Sequence, residues 1–117
     1  MDKIKIEICC GSAGDVLAAA GAGADRVELN SALFLGGLTP SLGALELART
    51  AQVELMAMVR PREGGFCYTQ EEFCTMLLDA RRLLDAGADG IVFGFLHEDG
   101  TVDVRRCQAM LEVIGTR

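Results

Sequence analysis

Tryptophan is absent from this chain, tyrosine occurs once, and aromatic residues make up only 5% of it. Half of the residues are nonetheless hydrophobic, so the core must be assembled from Ala, Leu, Val, Ile and Met. Proline is nearly missing too, two residues against fourteen glycines, which excludes a proline-rich disordered chain and points to many tight turns. Basic charge is scarce: 11 Lys and Arg face 17 Asp and Glu, for a net charge of −6. That balance argues against nucleic acid and against an anionic membrane surface as partners. No apolar run is long enough to span a bilayer, and Met1-Asp2-Lys3-Ile4 does not open a secretory signal. A cytoplasmic location is the expectation.

Histidine occurs once, at His97, which rules out a two-histidine metal site within one chain. His97 falls just after a strand, where it is either a solvated loop residue or an acid–base group. Five cysteines, Cys9, Cys10, Cys67, Cys74 and Cys107, are an odd number and match no zinc spacing. They are expected to be free thiols, mostly buried, rather than a disulfide scaffold. Thiolates are the soft ligands that suit Cu(I), but Cys9 and Cys10 are neighbours whose side chains should leave a strand on opposite faces.

The most informative feature is an internal echo. Ala22-Gly23-Ala24-Asp25-Arg26-Val27-Glu28-Leu29 matches Ala86-Gly87-Ala88-Asp89-Gly90-Ile91-Val92-Phe93, and the offset from Gly23 to Gly87 is 87 − 23 = 64 residues. In each copy a helix should end at Ala-Gly and turn through Ala-Asp into a strand. The rest of the chain keeps that period. Strands are predicted over residues 4–9, 26–30, 53–59 and 91–96. Ser12 with Asp15 opens a helix after the first strand, and Thr39-Pro40 opens one after the second. Thr69-Gln70-Glu71-Glu72 is a capping box, and Phe73, Met76, Leu77, Ala80 and Leu84 form the apolar stripe of the helix it starts. After the Asp99-Gly100 turn, Asp103 caps a last helix that stops near Gly115.

Four strands alternating with four helices mean an α/β domain with a parallel sheet. Along the strands, Ile4, Ile6 and Ile8, then Val27 and Leu29, then Val53, Leu55, Ala57 and Val59 form an apolar row expected to face helices. The opposite row carries Lys5, Glu7, Cys9, Arg26, Glu28, Asn30, Glu54 and Arg60. Helices cannot cover both faces of such a sheet, which favours a TIM (β/α)8-barrel type of fold over an open doubly wound sheet. Residues 1–117 then form a single partial barrel domain of four βα units. A half-exposed antiparallel α+β sheet would show the same alternation and is the competing architecture.

In a barrel, Glu7, Arg26, Glu28 and Arg60 point inward, where ions must pair with one another or bind something. Both a structural ion-pair network and a site at the C-terminal mouth fit that need. The strand-end residues Glu7, Arg26, Glu28, Asn30, Arg60 and Arg62 are the candidates for binding a small anionic metabolite. Gly36-Gly37-Leu38-Thr39-Pro40-Ser41 adds a glycine-rich turn, although no lysine follows to make it a P-loop. Cys9 and Cys67 are the candidate metal ligands.

Ile6-Glu7-Ile8-Cys9, Gly23-Ala24-Asp25-Arg26-Val27-Glu28-Leu29, Gly36-Gly37-Leu38-Thr39-Pro40-Ser41, Arg60-Pro61-Arg62, Gly87-Ala88-Asp89-Gly90 and Glu98-Asp99-Gly100-Thr101-Val102-Asp103 together resemble the CutC copper homeostasis family, in order and spacing. The resemblance implies a cytoplasmic TIM barrel linked to copper handling, with Cu(I) as possible cargo, and the family's polar strand-end positions fall on Glu7, Cys9, Arg26, Glu28, Arg60 and Arg62. Many relatives carry Cys where this chain has Asn30, which removes one thiolate. Family members continue through four more βα units, so the resemblance covers their N-terminal half. Half a barrel leaves its first and last strands as open edges, and a homodimer is the expected partner state.

Overall fold

The computed structural model describes residues 3–115. Four strands, β1 (Glu7–Cys10), β2 (Arg26–Leu29), β3 (Glu54–Met58) and β4 (Gly90–Val92), form one sheet in the order β1-β2-β3-β4 with every neighbour parallel. Between and after them run α1 (Ala13–Gly21), α2 (Leu42–Ala48), α3 (Gln70–Asp85) and α4 (Val104–Ile114). The α/β class and the parallel sheet are as expected, and the antiparallel alternative is excluded. Helix starts follow the side-chain oxygens in the sequence. Ser12 accepts from the Asp15 amide, Asp103 accepts from the Arg106 amide, and Thr69 and Glu72 complete a reciprocal capping box.

The echo has one structural job. The Asp25 amide donates to the Ile6 carbonyl at 3.0 Å, and the Asp25 carboxylate accepts from the Ile6 amide at 2.8 Å. In the second copy the Asp89 amide donates to Leu55 at 2.8 Å, and its carboxylate accepts from the Leu55 amide at 2.8 Å. Each aspartate thus clamps the start of its strand to the strand before. Gly87 makes the preceding turn at φ +110°, where a Cβ would also run into the Arg49 guanidinium.

These clamps measure the stagger of the sheet. Leu55 is the counterpart of Ile6, yet the ladder pairs Ile8 with Val27 and Val27 with Leu55. Gly90 is the counterpart of Arg26, yet Arg26 pairs with Glu54 while Gly90 pairs with Met56. Both comparisons give a slip of two residues for every two strands. Eight strands at that rate accumulate a shear of about eight, the value of a closed (β/α)8 barrel. The sheet is therefore half of a TIM-type barrel, with helices on its convex side.

Burial follows the alternating rows on β2 and β3. Val27, Leu29, Leu55, Ala57 and Val59 are buried against Val16, Leu45, Ala48, Met76 and Leu83. On β1 the expectation fails: Ile4, Ile6 and Ile8 are 83%, 55% and 40% exposed, and only Cys10 of that row is buried. The row points the right way, but α1 covers β1 only in part and leaves an open hollow lined by Ile6, Ile8 and Ala19.

Three boundaries also differ. The α2 cap is Ser41, which accepts from the Ala44 amide, and not Thr39. Thr39 is occupied elsewhere: its hydroxyl donates to the Arg60 carbonyl and accepts from the Arg60 amide, fastening the β2–α2 loop to the end of β3. The next residue directed at β4 is Pro61, which has no amide hydrogen, so the β3–β4 ladder closes at Val59 donating to Val92, and β4 is shorter than the 91–96 run. The first strand begins later than residue 4, at Glu7.

Asp89→Ala should unfold at lower urea concentration than the parent, by about 1–3 kcal/mol, because the Leu55 amide loses its acceptor. An unchanged midpoint would show that the clamp contributes nothing.

Candidate functional site

The concave face carries its residues in levels. At the N-terminal ends of the strands, Glu7, Arg26 and Glu54 stand side by side in register. Arg26 donates its Nε to Glu7 and lies 3.7 Å from Glu54, bridging three strands. Glu7 holds the guanidinium above its usual range. All three side chains are roughly a third to a half exposed, so the network is screened by water.

Halfway up lie Cys9 and Glu28, and above them Asn30. Asn30 is 2% exposed and, apart from the Tyr68 hydroxyl, is the one polar side chain among the buried described residues. Its amide nitrogen faces Cys9 Sγ at 3.3 Å, Glu28 Oε1 at 3.2 Å and the Glu28 carbonyl at 3.3 Å. Gly37 roofs it at φ +95°, and a Cβ there would strike Asn30 Oδ1 at 2.5 Å. The glycine-rich turn is thus packed on Asn30. Cys9 remains exposed, while Cys10 is buried on the other face, the opposite placement expected of neighbours on a strand. Burial, then the charges of Glu28 and Glu7, push the Cys9 thiol up. On β3 and β4 the same face turns apolar: Met58, Val92, Gly94, Phe66 and Leu96 line an open hollow.

Beyond the strand ends, the two arginines are engaged by loops. Arg60 donates to the carbonyls of Leu35, Gly37 and Gly64 and stacks on Phe66, 5.0 Å from the ring centre. Arg62 donates to the Glu72 carboxylate and to the carbonyls of Glu63, Gly65 and Cys67, and stacks on Tyr68 at 4.6 Å. Two polar atoms are left over in this region: Arg60 Nε and the Tyr68 hydroxyl are buried without a hydrogen-bond partner. The charges of Arg60 and Arg62 reach the phenol and partly offset the burial that pushes its pKa up, yet no hydrogen bond is aligned.

The structure thus divides the candidate residues. Glu28, Asn30 and Cys9 come together on the concave face; Glu7 and Arg26 lie below them at the opposite end from the mouth; Arg60 and Arg62 lie above, in the loops. Among the described residues Arg60 meets no carboxylate; Arg26 pairs with Glu7 and Glu54, and Glu28 is met by the Asn30 amide. Glu54 stood in the same alternating row as Arg60 and could have been grouped with Glu7 by register. Tyr68 carried no pattern to find it by. Three of the five thiols, Cys9, Cys67 and Cys74, are exposed rather than buried. No group of three or more His, Cys, Asp or Glu side chains suited to a metal ion forms among the described residues. His97 is half-exposed, 3.8 Å from Asp103.

The model of the CutC family matches residues 4–116. The chain belongs to the CutC family. Over its whole length it is 57% identical to a CutC family protein of Treponema denticola, of which it covers 48%. It is 44% identical to the copper homeostasis protein cutC homolog of Drosophila melanogaster, covering 96% of this chain and 43% of that one. The CutC crystal structure from Streptococcus agalactiae superposes with a TM-score of 0.88 at 29% identity, over 96% of this chain and 55% of its own. The chain therefore spans about half the length of the CutC proteins it matches. Among the described residues no helix is long and apolar enough to cross a membrane.

Replacing Glu28 by Gln removes one of the charges that hold the Cys9 proton. Alkylation of Cys9 by iodoacetamide near neutral pH, followed by peptide mass spectrometry, should then speed up roughly two- to tenfold. Cys67 in the same sample serves as the unchanged reference. An equal rate in both proteins would remove Glu28 from the environment of the thiol.

Proposed function

We propose that this chain acts in cytoplasmic copper homeostasis, with Cys9 as its contact for Cu(I). What supports the reading, beside family membership, is a single placement: an exposed thiol on the concave face, next to a carboxylate and an amide. Thiolate is the donor that Cu(I) prefers. One thiol does not enclose an ion, so copper is held here as transferable cargo; Cys67, the other candidate ligand, is an exposed thiol on the β3–α3 loop. Because the Cys9 proton is held tightly, copper must displace it, and binding strengthens as pH rises toward the raised thiol pKa.

Competition against a Cu(I) chelator under anaerobic conditions tests this reading. Micromolar or tighter binding is expected, tightening with pH and weakened on the order of tenfold in Cys9→Ser, with a smaller loss in Cys67→Ser. Binding no stronger than that of the denatured chain, or indifferent to Cys9, ends it.

A second reading, an enzyme or former enzyme acting on a small anionic metabolite at the mouth, has one observation in its favour. Arg60 Nε and the Tyr68 hydroxyl are buried donors without acceptors, and a carboxylate or phosphate oxygen supplies what both lack. A thermal-shift screen with phosphate and small dicarboxylates should then raise Tm, and the shift should vanish in Tyr68→Phe. If no anion moves Tm, the arginines serve the loops alone.

A further inference from the structure

Helix α3 carries two stripes of side chains. Met76, Ala80, Leu83 and Leu84 are buried in the core. The outer stripe, Glu71, Cys74, Leu78 and Arg81, is exposed. We propose that this outer stripe is the seam of a homodimer, with α3 of a second copy lying antiparallel across it. The seam belongs to the helix layer, on the opposite side of the sheet from Cys9, and owes nothing to the copper or anion readings.

The spacing of the stripe supplies the geometry. Its residues follow one another at intervals of three, four and three, the repeat that keeps side chains on one line of a helix and lets two helices pack at a shallow angle. Position 76 is their midpoint: Glu71 and Arg81 stand five residues to either side of it, Cys74 and Leu78 two. A two-fold axis at that level therefore lays the reversed stripe on itself. Glu71 of each copy meets Arg81 of the other, and Cys74 of each meets Leu78 of the other. A parallel pair would set Glu71 against Glu71 and Arg81 against Arg81, so the charges select the antiparallel direction. The contact is isologous and closes at two copies.

The surroundings agree. Neither Glu71 nor Arg81 is held in a salt bridge among the described residues, whereas Arg26, Arg62 and Arg106 are. Leu78 is 54% exposed, and Cys74, Leu77, Arg81 and Val113 line with it an open groove between α3 and α4. Leu78 of the second copy, brought opposite Cys74, enters that groove, so each leucine is covered by the groove of the other chain. One helix pair is small beside the roughly 1,600 Å² of a standard interface. The dimer is accordingly a weak, reversible one, and its paired charges make it weaken with salt.

Sedimentation equilibrium from low to high micromolar concentration should show mass rising reversibly from 12.5 kDa toward twice that value. Leu78→Asp should weaken association at least about tenfold, whereas Leu47→Asp, an equally exposed leucine on α2, should leave it unchanged. Glu71→Arg should weaken it roughly five- to tenfold, and adding Arg81→Glu should restore it, because the pairs re-form with their signs exchanged. A mass fixed at 12.5 kDa, association indifferent to Leu78→Asp, or a charge swap that restores nothing would overturn the proposal. Should these variants fail to fold, cross-linking of the wild type decides. The helical rise and an ordinary interaxial distance place the two Cys74 residues roughly 10–12 Å apart in the seam, within reach of a short bis-maleimide. A Cys74–Cys74 link, which only two copies can make, supports the seam; links confined to exposed Cys9 or Cys67, or no link at all, refute it.

Discussion

Asp25 and Asp89 each join two strands through a pair of hydrogen bonds, carboxylate to amide and amide to carbonyl, and the curvature of the sheet hangs on those two clamps. They set where β2 begins against β1 and where β4 begins against β3. A slip of one residue would exchange the concave and convex rows, turning Val27 and Leu55 into the lumen and Arg26 and Glu54 toward the helices. The Asp25 carboxyl is held below its usual range, first by the Ile6 amide and then by Lys3. With a depressed pKa in the folded state, its contribution is present above the unfolded carboxylate value and fades as pH falls toward the folded one.

Given that register, the concave face sorts itself by chemistry. The lowest level is ionic and self-satisfied around Arg26. The middle level holds Cys9 and Glu28, and Asn30 above them is packed under Gly37, so the β2–α2 turn cannot move without exposing an amide. The half contributed by β3 and β4 is apolar, with Met56 lying over Gly90 and Met58 facing Val92. The Cys9 level combines exposure with a thiol able to bond a soft ion.

Much of this was legible in the sequence. Alternation told which way each side chain points, because strand geometry admits only two faces. The Ala-Gly-Ala-Asp echo told that the units repeat. Helix starts at Ser12, Thr69 and Asp103 were readable because a capping oxygen acts on amides two or three residues away. Burial was not readable on β1: Ile6 and Leu55 occupy equivalent places, yet one is exposed and the other buried, since burial depends on a neighbour remote in sequence. Thr39 looked like a cap for the same reason, its actual partner being Arg60, 21 residues further on. The mouth was misjudged where Glu7 and Arg26 were counted with it, because strand ends were assigned before register was known.

The arginines show why residue type alone overstates a binding site. A guanidinium carries five donors in a fixed fork, and a loop rich in glycine offers bare carbonyls at every bend. Arg60 and Arg62 spend most of their donors on Leu35, Gly37, Gly64, Gly65 and Cys67, stitching two loops to each other and to α3. An incoming anion competes for what remains, chiefly Arg60 Nε. Cys9 is in the reverse position. Its sulfur has one weak contact with Asn30, and what stands between it and a metal is a proton kept by burial and two acids. The arginines are thus largely engaged by hydrogen bonds already made, whereas the Cys9 sulfur is held back by its proton, and that difference is the reason to propose copper first and an anion second.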